Sequence, residues 1–306
     1  MIKQTTQPAT IDRAAGFTLL EIAIVLAILG ILGTLALGIT GQLLAKQRRD
    51  TTLARLSSIE SAINLFVAQN KYLPCPALGT LDGTAPVPDP KLGREEVAAG
   101  RANCSTVLMV NQQTGILPWV TLGVPAIDAQ DGYGNMFTYR VDQSFVQTNS
   151  MDFTMCTPAG TNVTPIGTAP NFRCQPCTTA TFPAACNDPR VVIAGRGLRV
   201  KAVSGALVAD PLATPSTGAA YVVISHGESQ GGAYQFTGTL NVGTVATGTE
   251  ENNNRANAAY PAGSATAYLV EDFPSYGATT AHFDDFVLRA SILGLATKAQ
   301  MGPRAY

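Results

Sequence analysis

Hydrophobic residues are concentrated near the start of the chain in one long stretch. From Phe17 to Gly41 the sequence is apolar or small apart from three threonines, and Glu21 is its only charged residue. A run of about 20 apolar residues suffices to cross the hydrocarbon core of a bilayer. The pattern therefore predicts a helix over residues 17–41 that is apolar on all sides and enters a membrane.

Beyond residue 41 the pattern becomes typical of a one-sided helix. Apolar residues recur at intervals of three and four, with polar residues between them, at Leu43, Leu44, Leu53, Leu56, Ile59, Ile63 and Phe66. Nothing interrupts this pattern before Pro74. We expect an amphipathic helical half over residues 42–70, with its apolar face against the rest of the chain.

Residues 71–306 carry short β-branched or aromatic runs between turn residues, which is typical of strands. The expected strands are residues 107–110, 137–141, 190–193, 198–203, 221–225, 234–236, 267–270 and 286–292. The runs do not alternate with helical patterns, so we expect an antiparallel sheet rather than a parallel one. The predicted fold class is α+β, with the long N-terminal helix packed on the sheet of an exported β-rich head that carries long loops.

Composition excludes some broad roles. The chain has 306 residues, with 20 Lys plus Arg against 21 Asp plus Glu, so no overall field attracts nucleic acid or an anionic membrane. All six cysteines follow the apolar stretch, which favours an oxidising compartment for that part of the chain.

Glu21 is the feature of the apolar stretch that needs a partner. An ionisable group there costs roughly 2.5–3.5 kcal/mol on insertion scales. Phe17 lies four residues earlier and on the same helical face. Cleavage between Gly16 and Phe17 would create an α-amine at the depth of the Glu21 carboxylate. The segment from Gly16 to Glu21, Gly-Phe-Thr-Leu-Leu-Glu, resembles the type IV pilin and type II secretion pseudopilin superfamily.

This resemblance implies a processing route. Prepilin peptidase would remove residues 1–16 as a leader, Phe17 would be N-methylated, and Glu21 would guide assembly. The chain would cross the bacterial inner membrane once, with its head in the periplasm, or outside the cell once assembled into a pilus. The orientation rests on the resemblance, because Lys46, Arg48 and Arg49 after the stretch favour the opposite one by the positive-inside rule.

An ordinary secretory signal peptide is the main alternative for the N-terminus. Residues 36–38, Ala-Leu-Gly, would suit signal peptidase, but the apolar run is too long and contains Glu21. Shorter segments of the head also resemble the superfamily, at residues 115–119, 131–139, 221–227 and 284–288. The length after cleavage exceeds that of a typical major pilin, which favours a minor or accessory subunit.

The cysteines are candidates for disulfides, and they are Cys75, Cys104, Cys156, Cys174, Cys177 and Cys186. A bridge between Cys75 and Cys104 would close a loop of about 30 residues. The last four allow three pairings, among which the sequence does not choose. Their alternative role is a four-thiolate zinc site. We favour disulfides, and so expect no metal.

Residues 227–231 match the Gly-x-Ser-x-Gly nucleophile elbow, with Ser229 as nucleophile and Asp272 and His282 following in hydrolase order. The residues after Ser229 suit a strand and turn, whereas the elbow must lead into a helix. A Gly-rich hairpin turn is the simpler interpretation. We therefore expect no catalytic residues, no enzyme activity and no cofactor.

Two further patterns provide weaker hypotheses about the head. Arg199 and Lys201 share one face of an expected strand and would suit a DNA-binding head. Asp284 and Asp285, with Asp272 or Glu228, would suit calcium, although no EF-hand spacing is present.

The sequence thus predicts a structural subunit, a minor or accessory pilin of a type IV pilus that assembles through its N-terminal helix. The first alternative is a minor pseudopilin of type II secretion. Alternatives of another class are a membrane-anchored adhesive or DNA-binding head, and a tethered serine hydrolase using Ser229. The expected partners are prepilin peptidase, other pilin or pseudopilin subunits, the inner membrane, and a surface ligand or DNA.

Overall fold

The computed structural model describes residues 18–101, 103–105, 114–154, 156, 189–242, 250–256, 267–276 and 282–304. Within these, the side chains of residues 32–40 and 191 fall outside the description. The chain divides into two compact units, Met1–Gln47 and Arg48–Tyr306. From here on, the head means this second unit, which adds residues 48–70 of the long helix to the predicted head of residues 71–306.

The helices are α1 (Leu19–Asn70), α2 (Trp119–Leu122), α3 (Pro189–Ile193) and α4 (Ile292–Lys298), with 3-10 turns at Ala99–Arg101, Gln143–Phe145 and Glu250–Asn254. The strands are β1 (Thr114–Ile116), β2 (Thr138–Val141), β3 (Val200–Lys201), β4 (Leu207–Ala209), β5 (Ala219–Ser225), β6 (Leu269–Val270), β7 (Ser275–Tyr276), β8 (His282–Phe283) and β9 (Phe286–Ser291). A long N-terminal helix with a mainly antiparallel set of sheets confirms the predicted α+β class.

From Leu19 to Ile31, helix α1 exposes its apolar side chains in every direction. The large apolar residues from Leu19 to Ile31 are 50% to 88% exposed. Consecutive residues of a helix point about 100° apart, so this exposure covers its whole circumference. Among the residues that the structure describes, no helix combines the length and hydropathy of a membrane span.

The part of α1 in the head buries one stripe. Thr52, Leu56, Ile59, Ile63 and Val67 are 0% to 5% exposed and recur every three or four residues. The apolar members of this stripe belong to the same core as the sheet. The predicted one-sided packing is therefore present, although its register differs in detail. Leu53 is exposed, and Val67 rather than its neighbour Phe66 is fully buried.

The main sheet has four strands in the order β1-β2-β5-β9, and every neighbouring pair is antiparallel. Strand β5 is central and buried along its whole length. A second sheet has the order β4-β3-β6, in which β3 pairs antiparallel with β4 and parallel with β6. Strands β7 and β8 form a separate antiparallel pair. The candidate site of the head lies at the C-terminal end of β5.

Some of the predicted strands are wrong or lie elsewhere. Residues 190–193 form helix α3, whose first residue is Pro189. Proline suits the first turn of a helix because its missing N–H has no partner there anyway, and this outweighed the β-branched run that follows. Residues 234–236 make only isolated bridges. Residues 107–110 lie outside the described residues.

Cys75 and Cys104 form a disulfide across a sequence separation of 29. Cys156 is buried and also disulfide-bonded. None of the three cysteines that the structure describes is free. The candidates Cys174, Cys177 and Cys186 lie outside the described residues.

Candidate functional site

The N-terminal motif begins α1 with a pair of reciprocal hydrogen bonds. The Thr18 N–H and hydroxyl donate to Oε2 of Glu21, at 2.9 and 3.0 Å. In return, the Glu21 N–H donates to the Thr18 hydroxyl oxygen at 3.3 Å. This is a capping box, which satisfies two backbone N–H groups that a helix start leaves without partners. Gly16 and Phe17, the predicted cleavage residues, lie outside the described residues.

Thr18 belongs to this site although no role was predicted for it. Its signal was present, because Thr-x-x-Glu before an apolar run is the sequence form of a capping box. The box gives Glu21 a local function, as the cap of its own helix. It also shows that a Glu21 side chain exposed on α1 has hydrogen-bond donors within its own subunit.

A second cluster of polar groups lies inside the head where β5 ends. The Ser225 hydroxyl donates to Oδ2 of Asp131 at 2.7 Å. Nε2 of His226 lies 2.7 Å from the hydroxyl oxygen of Thr138 on β2. All four of these residues are at most 2% exposed. Polar side chains buried this deeply need hydrogen-bond partners. Thr138 at the start of β2 provides one for His226, and the loop that carries Asp131 provides one for Ser225.

The loop that carries Asp131 is fastened on two sides. Oδ1 of Asp131 accepts hydrogen bonds from the N–H groups of Tyr133 and Asn135, both at 2.9 Å. The Gly132 N–H donates to the hydroxyl of Thr52 on α1 at 2.9 Å. A Cβ at Gly132 would lie 2.0 Å from the main-chain oxygen of Arg48, so only glycine allows this approach. The loop therefore ties the head's part of α1 to the end of the sheet.

Burial controls the protonation of this cluster. Burial, followed by the neighbouring Arg140, lowers the pKa of His226 to about 3, so the imidazole is neutral at pH 7. Its Nδ1 lies 3.8 Å from Oδ1 of Asp285. Burial, with the nearby Glu251 carboxyl, raises the pKa of Asp285 well above its usual range. A hydrogen bond of 2.7 Å from the Asn254 amide orients this carboxyl.

Ser229 lies in the turn after β5, but its contacts differ from those of a nucleophile. Its hydroxyl is 3.0 Å from Oδ1 of Asp284 and 3.1 Å from the main-chain oxygen of His226. An activated serine instead donates to a general base, most often an imidazole. The predicted partner Asp272 accepts main-chain hydrogen bonds from Val203 and Phe273. These contacts do not bring Ser229, Asp272 and His282 together as a hydrolase triad.

Asp284 lies beside two other ionisable groups. Its N–H donates to Oε1 of Glu251 at 3.0 Å, and its Oδ2 is 3.7 Å from Nε2 of His282. Burial and the neighbouring Asp284 carboxyl raise the pKa of Glu251 to about 8. Glu228, which the sequence grouped with Asp284, is exposed. The structure therefore groups Asp284 with Glu251 and His282, a set that the sequence pattern did not predict because 31 residues separate two of its members.

The basic pair that suggested DNA binding is already engaged. Arg199 forms an ion pair with Asp210 at 3.1 Å, and its side chain is 12% exposed. The Lys201 ammonium lies 4.0 Å from the centre of the Tyr268 ring. Phosphate binding depends on cations that can replace counterions along a nucleic acid. A partly buried Arg199 that is already paired with Asp210 gives this hypothesis little support.

Comparison with known families matches one segment of the chain. Residues 11–37 match the prokaryotic N-terminal methylation motif. No curated protein and no solved structure matches the chain. The match confirms the predicted prepilin-type motif of type IV pilins and pseudopilins. Such a motif implies processing by prepilin peptidase, assembly with other pilin subunits, and attachment to a membrane or a pilus.

Proposed function

We propose that this protein is a minor or accessory pilin, a structural subunit that enters a type IV pilus through its N-terminal helix. The observation that carries the proposal is the methylation motif over residues 11–37. The motif is followed by a helix that begins at Leu19. Removal of residues 1–16 would leave Phe17 as the N-terminal residue, beside the Thr18–Glu21 capping box.

The exposed apolar surface of α1 supports assembly through this helix. Apolar side chains on all sides do not stabilise an isolated helix in water. Each methylene that stays exposed forgoes about 0.8 kcal/mol of the free energy that burial would provide. The surface from Leu19 to Ile31 therefore needs a covering. Lipid would cover it while the subunit is held in the inner membrane with its head in the periplasm. The helices of other subunits would cover it in the filament.

Glu21 has a specific role in this proposal. Within its own subunit the carboxylate accepts hydrogen bonds from Thr18 but has no full positive charge beside it among the described residues. In a bundle of apolar helices, where water is scarce, an unpaired carboxylate is costly. The Phe17 amine of an adjacent subunit would supply that charge, and methylation would preserve it. Glu21 would thus make docking of one subunit onto another favourable.

Two substitutions separate the charge of Glu21 from its capping function. Glu21→Gln keeps an oxygen that can accept from Thr18 but removes the charge, whereas Thr18→Ala removes the cap and keeps the charge. Each variant is expressed beside the wild-type system, and cleavage is confirmed by mass. We expect Glu21→Gln to be cleaved normally, but its share in sheared filaments should fall at least about tenfold. A tenfold fall corresponds to a loss of about 1.4 kcal/mol in the free energy of docking. Thr18→Ala should enter filaments far better. Equal incorporation of Glu21→Gln and wild type would remove the assembly role.

The same motif also suits a minor pseudopilin of type II secretion. The two assemblies are distinguished by location and by loss of function. A pilin deletion should reduce surface filaments and leave protein secretion intact. A pseudopilin deletion should block secretion, and the protein should remain with the inner-membrane fraction after shearing.

A further inference from the structure

Three side chains of the head bring together the donor set of a transition-metal site. Glu251 lies on the 3-10 turn Glu250–Asn254, His282 on β8, and Asp284 directly after that strand. One donor atom from each residue lies within 4.8 Å of the others. These are two carboxylate oxygens and one imidazole nitrogen, which come from two parts of the chain.

The spacing of these atoms is close to that required by a small cation. Bonds of about 2.0–2.1 Å in a tetrahedral zinc site place neighbouring donors about 3.4 Å apart. Nε2 of His282 and Oδ2 of Asp284 are already 3.7 Å apart. The remaining separations are at most 4.8 Å. Side-chain rotations that move the donor atoms up to about 1.4 Å closer together would close the set around a metal with such bond lengths.

One oxygen of Glu251 is an independent sign of a missing ligand. Oε1 accepts from the Asp284 N–H, whereas the buried Oε2 receives no N–H or hydroxyl donor from the described residues, and the Glu251 carboxyl is in contact with that of Asp284. Glu251 as a whole is 2% exposed. A buried polar atom without a donor or a neutralising charge destabilises the fold, and more so if it is itself charged. A cation beside Asp284 would satisfy it.

The surroundings hold Asp284 in place for such a role. Its Oδ2 accepts from the Ser229 N–H at 2.6 Å, and its Oδ1 is 3.0 Å from the Ser229 hydroxyl. Groups that orient a metal ligand in this way are characteristic of metal sites. A Cβ at Gly227 would lie 2.2 Å from the main-chain oxygen of Asp284, so glycine lets the turn approach. The Gly-x-Ser-x-Gly segment thus orients Asp284.

The 3-10 turn is held from its other end. The Asn254 side chain donates to the main-chain oxygen of Val270 and accepts from its N–H, each at 2.8 Å. This pairing fixes the turn that carries Glu251 against β6. The His282 side chain is 31% exposed, whereas that of Asp284 is 2% exposed. A cation would therefore reach the carboxylates from the solvent side, past the imidazole.

We infer that Glu251, His282 and Asp284 bind one divalent transition-metal cation, and that Zn²⁺ fits them best. Calcium prefers six to eight oxygen ligands, whereas Zn²⁺ accepts imidazole and carboxylate together. Three protein ligands leave one position for water. The cation joins the 3-10 turn to the connection between β8 and β9. This site belongs to the head, so it does not depend on the proposed role of the N-terminal helix.

The test is zinc binding by the full chain, purified in detergent with its disulfides intact and stripped of metal. Titration calorimetry of the wild type should show one equivalent of Zn²⁺. His282→Ala and Glu251→Gln should each weaken binding by at least about 100-fold, beyond the range typical of indirect partners, and Ser229→Ala by about tenfold. Co²⁺ should give visible absorption bands with the wild type that His282→Ala abolishes.

Glu250→Gln is the matched control, because Glu250 is the neighbouring acid on the same turn and accepts from the Tyr268 hydroxyl. It should bind zinc as the wild type does. His282→Ala changes a partly exposed side chain and keeps the test valid if Glu251→Gln fails to fold. Wild type that binds no zinc, binds calcium in preference to zinc, or binds zinc equally after both ligand substitutions would overturn the site.

Discussion

Helix α1 lies in two different environments along its length. From Leu19 to Ile31 its large apolar side chains are at least half exposed, whereas in the head a stripe that includes Ile59 and Ile63 is fully buried. Propensity alone stabilises a helix weakly, and most helical stability in proteins comes from packing. The head's part of α1 finds that packing within this chain. Among the described residues the part from Leu19 to Ile31 finds no such packing, and the proposed assembly would supply it.

The largest expected effect comes from breaking the buried stripe. Ile63 is 0% exposed, so Ile63→Ala should lower the free energy of unfolding of the head by about 2–5 kcal/mol through lost burial and a cavity. Leu65 lies on the same helix and is 60% exposed, so Leu65→Ala should change it by less than about 0.5 kcal/mol. Urea unfolding followed by circular dichroism measures both. Equal effects at the two positions would contradict the packing described for α1.

The disulfide should have the next largest effect, and it too is confined to the head. Replacing Cys75 and Cys104 by serine releases a loop whose ends are 29 residues apart. The chain-entropy model gives a loss of about 3–4 kcal/mol for a loop of this length. The midpoint of urea unfolding without reductant should fall accordingly, while leader cleavage continues unchanged. A variant as stable as the oxidised wild type would show that the bridge contributes nothing.

The two environments also differ in how well the sequence predicted them. The N-terminal motif is local, so residues 11–37 are recognisable without a structure. The stripe at Leu56, Ile59 and Ile63 follows from helical spacing. The β-branched run at residues 190–193 favours a strand, because β-branched residues prefer strands. The proline at the start of α3 overrides this preference, and the run is helical.

The polar cluster of the head was largely beyond prediction from sequence. Ser225 and His226 lie in a recognised segment, but their partners Asp131 and Thr138 come from a distant part of the chain. Glu251 lies in a segment expected to be a loop, and nothing in its spacing connects it to His282. Such contacts depend on strand order and on how loops fold over the sheet, neither of which leaves a periodic signal.

The stability of the head should depend on pH because of the buried imidazole of His226. Burial and Arg140 lower the pKa of His226 from 6.5 to about 3. The unfolded chain therefore takes up a proton below about pH 6.5 that the folded chain refuses, and stability falls as the pH falls toward 3. The contribution is about 1.4 kcal/mol per pH unit between about pH 6 and 4.

The comparison of His226→Gln with the wild type isolates this contribution from that of the carboxylates. As the pH is lowered from about 6 to about 4, the wild type should lose more unfolding free energy than His226→Gln. The stability of the variant relative to the wild type should therefore rise. Parallel pH profiles for wild type and variant would show that His226 titrates normally. The N-terminal part of α1, which carries no histidine, should contribute nothing to this slope.

The smallest effect is expected at the start of α1. Thr18→Ala removes the acceptor of the Glu21 N–H, so exchange of the amide hydrogens in the first turn should accelerate by about fivefold. Thr18→Ser keeps the hydroxyl and should exchange like the wild type. Hydrogen exchange with mass spectrometry in detergent reads both regions at once, and protection in the head should be unchanged. Faster exchange throughout the head would show that the two regions are not independent.

The account depends most on the N-terminal motif acting as a processing site, and the mass of the mature N-terminus tests this directly. The chain is expressed with a prepilin peptidase, extracted from membranes and digested, and its N-terminal peptide is identified. We predict that the wild type begins with N-methyl-Phe17 and that Gly16→Val retains the leader. A mature chain that begins at Ile39, as after an ordinary signal peptide, or that keeps Met1–Gly16 in the wild type, would contradict the account.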